Sequence, residues 1–275
     1  MPIEFHLYRA KFIRPRQSSF LHDDETPRSL FLKSLAEKPY AEFRKNYTWH
    51  IANLTELDRD CGYFAVGRNS PTSIPKLDPV TGDFVDTQDD TSPYTHVVYD
   101  AGVGLMAIRK ESDLAPSTVE VAKKIEKLLG QSKVAMRNEI DVKIDHIPDP
   151  EDFISKLQDA VSIKKFTATF TGPNPFDADE LFQKPLSVYL REARGSGGST
   201  TVEGSSLDSG VVVSVARSTA ASGNTASARV QEKIGVRPIR INLSGDPVKM
   251  VYEEEPAPSS VLKQAQESYR RVRRE

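Results

Sequence analysis

The chain has 275 residues, with hydrophobic side chains at 38% and charged ones at 28%, a composition able to build one large packed core or two modest ones. Its 37 basic and 39 acidic side chains leave a net charge of −2, which excludes nucleic-acid binding driven by bulk charge and leaves only a local basic face. The single cysteine, Cys61, excludes an internal disulfide framework and a thiolate zinc cage.

The opening stretch MPIEFHLYRAKFIRPR holds no apolar core of signal-peptide length, and no later run approaches the roughly 18 apolar residues of a membrane span. A cytoplasmic protein is expected, without a membrane. Ile3, Phe5 and Leu7 alternate, Ala10, Phe12 and Ile13 follow, and Pro15 closes the run, which predicts a strand at or near a sheet edge. Residues 17–27 are polar and loop-like. A short helix is expected over 28–36, with Leu30, Phe31 and Leu35 on one side.

Residues 43–110 read as a β-meander. Tyr47, Trp49 and Ile51 mark one strand and GYFAVG at 62–67 the next. Asp78-Pro79-Val80-Thr81-Gly82-Asp83 is a turn between two short arms. Thr95–Tyr99 and Val103–Ile108 complete the sheet, the last apolar on both faces and so expected at its centre. Ser117 and Glu120 fit a capping box. Val121, Ile125, Leu128 and Leu129 follow at helical spacing, and no helix is expected before Ser117.

Ile140, Val142 and Ile144 alternate with polar residues, a helix follows Asp149-Pro150, and Phe166, Ala168 and Phe170 alternate with threonines. Strand, helix and strand in this length suit a βαβ crossover with near-parallel strands. A helix from about 185 to 193 leads to GSGGSTTVEGSS at 195–206, flexible by composition. Over 207–234, Val211–Val213 and Val215 favour a strand by propensity, whereas the Ala, Ser and Arg run favours a helix, which is expected from about 215. Residues 239–243 and 248–252 alternate around Gly245-Asp246-Pro247 as a hairpin.

The motif Gly102-Val103-Gly104-Leu105-Met106-Ala107 matches the dinucleotide fingerprint G-x-G-x-x-A. That chemistry needs a helix opening directly after the turn, so that its amides meet the pyrophosphate. A hairpin is expected instead, and no cofactor. GSGGST at 195–200 lacks the lysine of a phosphate loop. Asp141, Asp145, His146 and Asp149 cluster in sequence, as do Asp58 and Asp60. Paired carboxylates can hold a catalytic metal or divide acid and base roles, but the alternation places them on solvated surface, and no metal is expected. The five histidines are scattered, although His50 and His96 could meet within the meander.

The basic residues carry more. Arg9, Lys11, Arg14 and Arg16 punctuate the first strand and its polar continuation. Arg44 and Lys45 precede the second strand, Lys164 and Lys165 open the Phe166 strand, and Arg270 and Arg271 lie in the tail. Such side chains can line a face and contact phosphates, with Tyr8, Tyr47 or Trp49 beside them.

Residues 61–175 resemble the RexA-like phage-exclusion proteins of lambda-type prophages and related bacterial anti-phage defence proteins. The likeness rests on PKLDPVTGDF at 75–84, the LMAIRK run at 105–110, the acidic-proline turn within 140–150 and GPNP at 172–175. It implies anti-phage defence by a homodimer that reads the DNA backbone rather than its sequence, and no catalytic residue transfers with it.

The expected fold is α+β, a mixed, mainly antiparallel sheet with packed helices. Residues 1–252 form one compact domain with a mobile loop at 195–210, and 253–275 form an acidic, proline-containing linker and a basic tail able to form a helix with Leu262, Tyr269 and Val272 on one side. The expected function is a non-enzymatic defence or stress protein that binds a DNA or RNA backbone, or a phage-encoded or operon-encoded protein, as a homodimer. Two alternatives stand beside it: a metal-dependent nuclease or hydrolase using Asp141, Asp145 and Asp149, and an interaction subunit of a toxin or defence complex.

Overall fold

The structure is a computed structural model that describes residues 2–13, 25–171, 182–193 and 195–273. Its elements in chain order are β1 (Ile3–Ile13), α1 (Pro27–Ala36), β2 (Tyr40–Arg44), β3 (Tyr47–Asp58), β4 (Cys61–Leu77), β5 (Phe84–Thr91), β6 (Tyr94–Asp100), β7 (Leu105–Arg109), α2 (Thr118–Gly130), α3 (Lys133–Arg137) and β8 (Asp141–His146). They continue with α4 (Glu151–Gln158), β9 (Ser162–Thr171), α5 (Gln183–Glu192), β10 (Gly197–Leu207), α6 (Ser209–Ala221), β11 (Ala226–Gln231), β12 (Ile239–Asn242), β13 (Lys249–Tyr252) and α7 (Pro258–Arg273). The fold is α+β, and every strand pairing among the described residues is antiparallel.

The large sheet runs β13-β1-β7-β6-β4-β3-β2, with β8 also on β1 and β5 on the outer half of β4. A second sheet runs β10-β9-β11-β12. Strand alternation sends successive side chains of β1 to opposite faces. Tyr8, Ala10 and Phe12 join the core under α1 and α2. Phe5 and Leu7 join the core made with α4, α6, α7 and the second sheet. β1 stands one strand in from the end of the sheet, near its edge as expected, and both its faces are covered. β7 holds one of its edges. β13 and β8 share the other, pairing with Ile3–His6 and Tyr8–Ile13.

The meander stands, with its last strand opening at Leu105 rather than at the expected Val103. The 78–83 turn closes through Asp78 N–H to Asp83 O and Gly82 N–H to Asp78 O, both 2.8 Å. Its arm, β4 from Ser70 onward paired with β5, leaves Val80 90% and Phe84 80% exposed. The reversal between β6 and β7 is made at 101–104, where Gly104 takes φ 65, and strand β7 follows it. The next helix opens at Thr118, where the Ser117 hydroxyl accepts the Glu120 amide at 3.4 Å. No helix N-terminus meets the glycine turn, so it is not a dinucleotide loop.

Four expectations are corrected. β8 and β9 lie in different sheets, so 138–171 is no βαβ crossover. The stretch expected as a mobile loop is β10, held against β9 with Thr201 opposite Thr167 and Ser199 opposite Thr169. The helix of the 207–234 region opens earlier, because the Asp208 carboxylate caps the Val211 amide at 2.9 Å. It ends at Ala221 and gives way to β11. Finally, β12 pairs with β11 and β13 with β1, so 239–252 is no hairpin. The expected basic tail is α7, whose Val261, Ala265, Tyr269 and Val272 are buried. Among the described residues no helix is long and apolar enough to cross a membrane.

Burial gives the fold an acid sensitivity. His6 is packed in the sheet with Nδ1 2.7 Å from the Thr118 hydroxyl. Burial lowers its pKa below the ordinary 6.5 against the opposing Glu4 carboxylate. Burial, helped by the Arg109 charge, lowers that of His96. Between their folded pKa values and 6.5 the unfolded chain binds more protons, so stability is complete above about pH 6.5 and falls with pH until the folded values are passed. The urea midpoint should therefore drop between pH 7.5 and 5.0, and drop less in His6→Gln/His96→Gln. Equal drops in the two proteins would refute the assignment.

Candidate nucleic-acid interface

The outer edge of the large sheet carries an unusual arrangement of cations. β2 and β3 are joined at Lys45-Asn46, where Asn46 takes φ 67, a conformation asparagine tolerates. Its amide donates to the Glu42 carboxylate at 2.7 Å. The register shifts between Glu42 and Arg44, and Arg44 then stands opposite Tyr47. The Arg44 guanidinium lies 5.2 Å from the centroid of the Tyr47 ring, and that of Arg68, from β4, lies 5.8 Å from the same centroid.

Helix α2 adds two lysines. Its Val121, Ile125, Leu128 and Leu129 are buried under the sheet. Lys124 and Lys127, three residues apart, share one flank of the helix. Lys124 Nζ lies 4.8 Å from the Phe43 centroid and 5.7 Å from that of Trp49, and Lys127 Nζ lies 5.7 Å from Phe43. Each contact with an aromatic face offsets part of the cost of gathering like charges. No carboxylate does: among the described residues Arg44, Lys45, Arg68, Lys124 and Lys127 form no ion pair. By contrast Lys156 pairs with Asp152 at 2.6 Å and Lys249 with Asp246 at 3.0 Å. Arg68 also keeps a buried Nε without a hydrogen-bond acceptor and gives Nη2 to the Asp113 carbonyl at 3.4 Å. The result is a positive surface with flat apolar elements set into it.

Of the expected phosphate-binding residues, Arg44 and Lys45 stand exposed at this site. Arg14 and Arg16 lie outside the described residues. Arg9 and Lys11 are corrected. They lie on an inward face of β1, 1% and 2% exposed, where no phosphate reaches. Arg9 Nη1 donates to the Tyr269 hydroxyl, with the guanidinium 5.4 Å from that ring's centroid. Lys11 Nζ donates to Asp145 at 3.0 Å, Thr171 at 2.9 Å and Asn224 at 3.1 Å, so all three ammonium protons are used. Burial pushes the Lys11 pKa down and the Asp145 charge opposes it.

No protein-family model matches the chain, and no curated protein matches it.

Lys164 and Lys165 belong to the second sheet. There Lys164 donates to the Ser205 carbonyl at 2.6 Å and Lys165 pairs with Glu203. Arg270 and Arg271 are exposed near the end of α7. The expected basic set is thus divided among the sheet edge, the second sheet and the last helix. The carboxylates of the nuclease alternative do not converge. Asp145 holds Lys11, Asp141 lies 3.4 Å from Lys143, and Asp149 accepts the Glu151 amide at 3.1 Å. Among the described residues no group of three or more histidine, cysteine or acidic side chains is placed to hold a metal. His50 and His96 share a sheet face but are separated by β4, opposite Gly67 and Ala65.

Arg68, Lys124 and Lys127 were not anticipated. The i, i+3 lysines on the polar flank of an amphipathic helix were the available signal, but that spacing also describes ordinary solvated surface.

Proposed function

We propose that the protein binds nucleic acid without reading its sequence, as a non-enzymatic defence or stress protein of the cytoplasm. One observation carries the binding: four cations, Arg44, Arg68, Lys124 and Lys127, gather around Phe43, Tyr47 and Trp49, Lys45 stands in the adjoining turn, and no carboxylate is paired to any of the five. Such a surface takes up phosphates and releases their counterions. The defence setting is supported by the RexA-like resemblance of residues 61–175 alone.

Anisotropy titrations with two duplexes of unrelated sequence test the binding. Equal affinities are expected, and log K should fall against log salt with a slope of about −0.9 per phosphate, or about −4.5 for five contacts. Absence of binding at low salt would remove the proposal.

Homodimerisation is part of the same reading. It is supported by the projecting β4–β5 arm, whose tip leaves Leu77, Val80, Phe84 and Val85 exposed, an apolar surface that a second chain would cover. Light scattering at micromolar concentration should return a two-chain mass, and a monomer mass would count against it.

A further inference from the structure

The opposite face of the same sheet edge bears a second feature. The layer containing α7 and the second sheet packs against Leu105 and Ala107 of β7, Val98 of β6 and Tyr63 of β4. Beyond those residues Tyr40, His50 and Tyr94 are exposed on this face. Across it the register sets one straight row: Tyr40 of β2 opposite His50 of β3, His50 opposite Gly67 of β4, and Gly67 opposite Tyr94 of β6.

The rings lie in two pairs. Tyr40 and His50 are stacked, centroids 5.7 Å apart and planes at 18°, whereas Tyr94 meets His96 edge-on at 5.4 Å and 87°. Both tyrosines are open to solvent, 71% and 53% exposed. Between the pairs the floor is backbone. A Cβ at Gly67 would lie 2.7 Å from the Tyr94 Cβ and 2.8 Å from the Pro93 carbonyl, so no side chain fits there. At about 4.8 Å per strand, Tyr40 and Tyr94 stand about 14 Å apart across this slot.

The chemistry around the rings narrows what could lie on them. The next row toward the β2–β3 turn is Glu42, Thr48 and Asn69, with the Glu42 carboxylate already taken by the Asn46 amide. Past that row comes the β2–β3 turn with Lys45, whereas Arg44 lies over Tyr47 on the other face. Exposed aromatic planes, a polar row and then the unpaired Lys45 at the turn form a poor seat for an aliphatic protein surface. They match a ligand with flat rings on one side and negative charge on the other.

We infer that this row is a stacking platform for the bases of single-stranded nucleic acid, with Tyr40 and Tyr94 each receiving a base while the strand's phosphates run toward Lys45 in the β2–β3 turn and round the sheet edge to the cations of the other face. The inference rests on the nucleic-acid reading above and adds to it the class of strand. A duplex, whose bases are already stacked on one another, has phosphates for the cations but nothing for these rings.

The test titrates the full chain at one salt concentration with labelled 12-mers of deoxythymidine, of uridine, an abasic deoxyribose-phosphate strand of equal charge, and a 12-base-pair duplex. The base-bearing single strands should bind about a hundredfold more tightly than the abasic strand. Tyr40→Ala and Tyr94→Ala should each weaken the base-bearing strands about tenfold and leave the abasic strand unchanged. Deoxythymidine and uridine strands differ in the 2′-hydroxyl and in the base C5 methyl, and tighter binding of either supports the platform. Equal binding of abasic and base-bearing strands, or tyrosine variants without effect, would overturn the inference while the phosphate reading stands. Binding of the duplex alone has the same meaning. If none of the four binds, the nucleic-acid reading falls and this inference with it.

Discussion

Replacing Tyr269 with alanine is expected to lower the unfolding free energy by about 4 kcal/mol, as for a large buried aromatic ring. The residue comes from the stretch that composition marks as a basic tail, yet its ring is buried with Val261, Ala265 and Val272 against the core. Its hydroxyl accepts from Arg9, and its face lies under the same guanidinium. Alanine would remove the packing, the acceptor and the ring together, leaving part of a buried cation uncompensated. Tyr269→Phe separates these terms. It keeps the ring and its cation contact, and should cost about 1.5–3 kcal/mol, the range of a hydrogen bond to a charged group. Urea unfolding of the three proteins measures both steps. A cost below about 1 kcal/mol for the alanine variant would mean that α7 is not part of the cooperative core.

The double variant Arg44→Glu/Lys127→Glu is expected to weaken nucleic-acid binding by more than about 100-fold at moderate salt and to make the salt slope shallower by about 1.8, two phosphate contacts at 0.9 each. Both side chains are exposed, so the fold should be unaffected. Lys156→Glu/Lys249→Glu makes the same change in net charge at lysines already paired with Asp152 and Asp246. It should change affinity little. If both variants weaken binding equally, net charge rather than the sheet-edge cluster governs association, and the site is misplaced.

Where local chemistry decides, the residues could be read directly. Ser117 caps α2, the 78–83 turn closes the arm, and the alternation in 140–146 is β8. Where a distant partner decides, they could not. Arg9 and Lys11 read as the polar side of an edge strand because their partners Tyr269, Asp145, Thr171 and Asn224 lie far along the chain. The stretch 195–206 reads as flexible because Gly and Ser disfavour isolated strands. Its hydroxyls nonetheless meet those of β9, Thr167 to Thr201 at 2.9 Å. Gly198 lies over Phe170, where a Cβ would come within 2.8 Å of the ring. Alternation in β8 and β9 shows that each has a buried face but not which sheet buries it. The candidate site was half legible. Arg44 and Lys45 were visible beside Tyr47, whereas Arg68, Lys124 and Lys127 join them only through the β3–β4 register and the crossing of α2.

The division of one edge of β1 between β8 and β13 has a consequence for synthesis. β1 leaves the ribosome before β2 to β13, but Phe5 meets Met250 only after the residues between them have been made. At 5–20 residues per second that interval is on the order of 10 to 50 s. Throughout it, Phe5 lacks its partner strand β13 and Arg9 lacks Tyr269 of α7. Nascent chains arrested before residue 249 should therefore hold the first strand open to a holding chaperone, and release from it should coincide with emergence of β13 and α7.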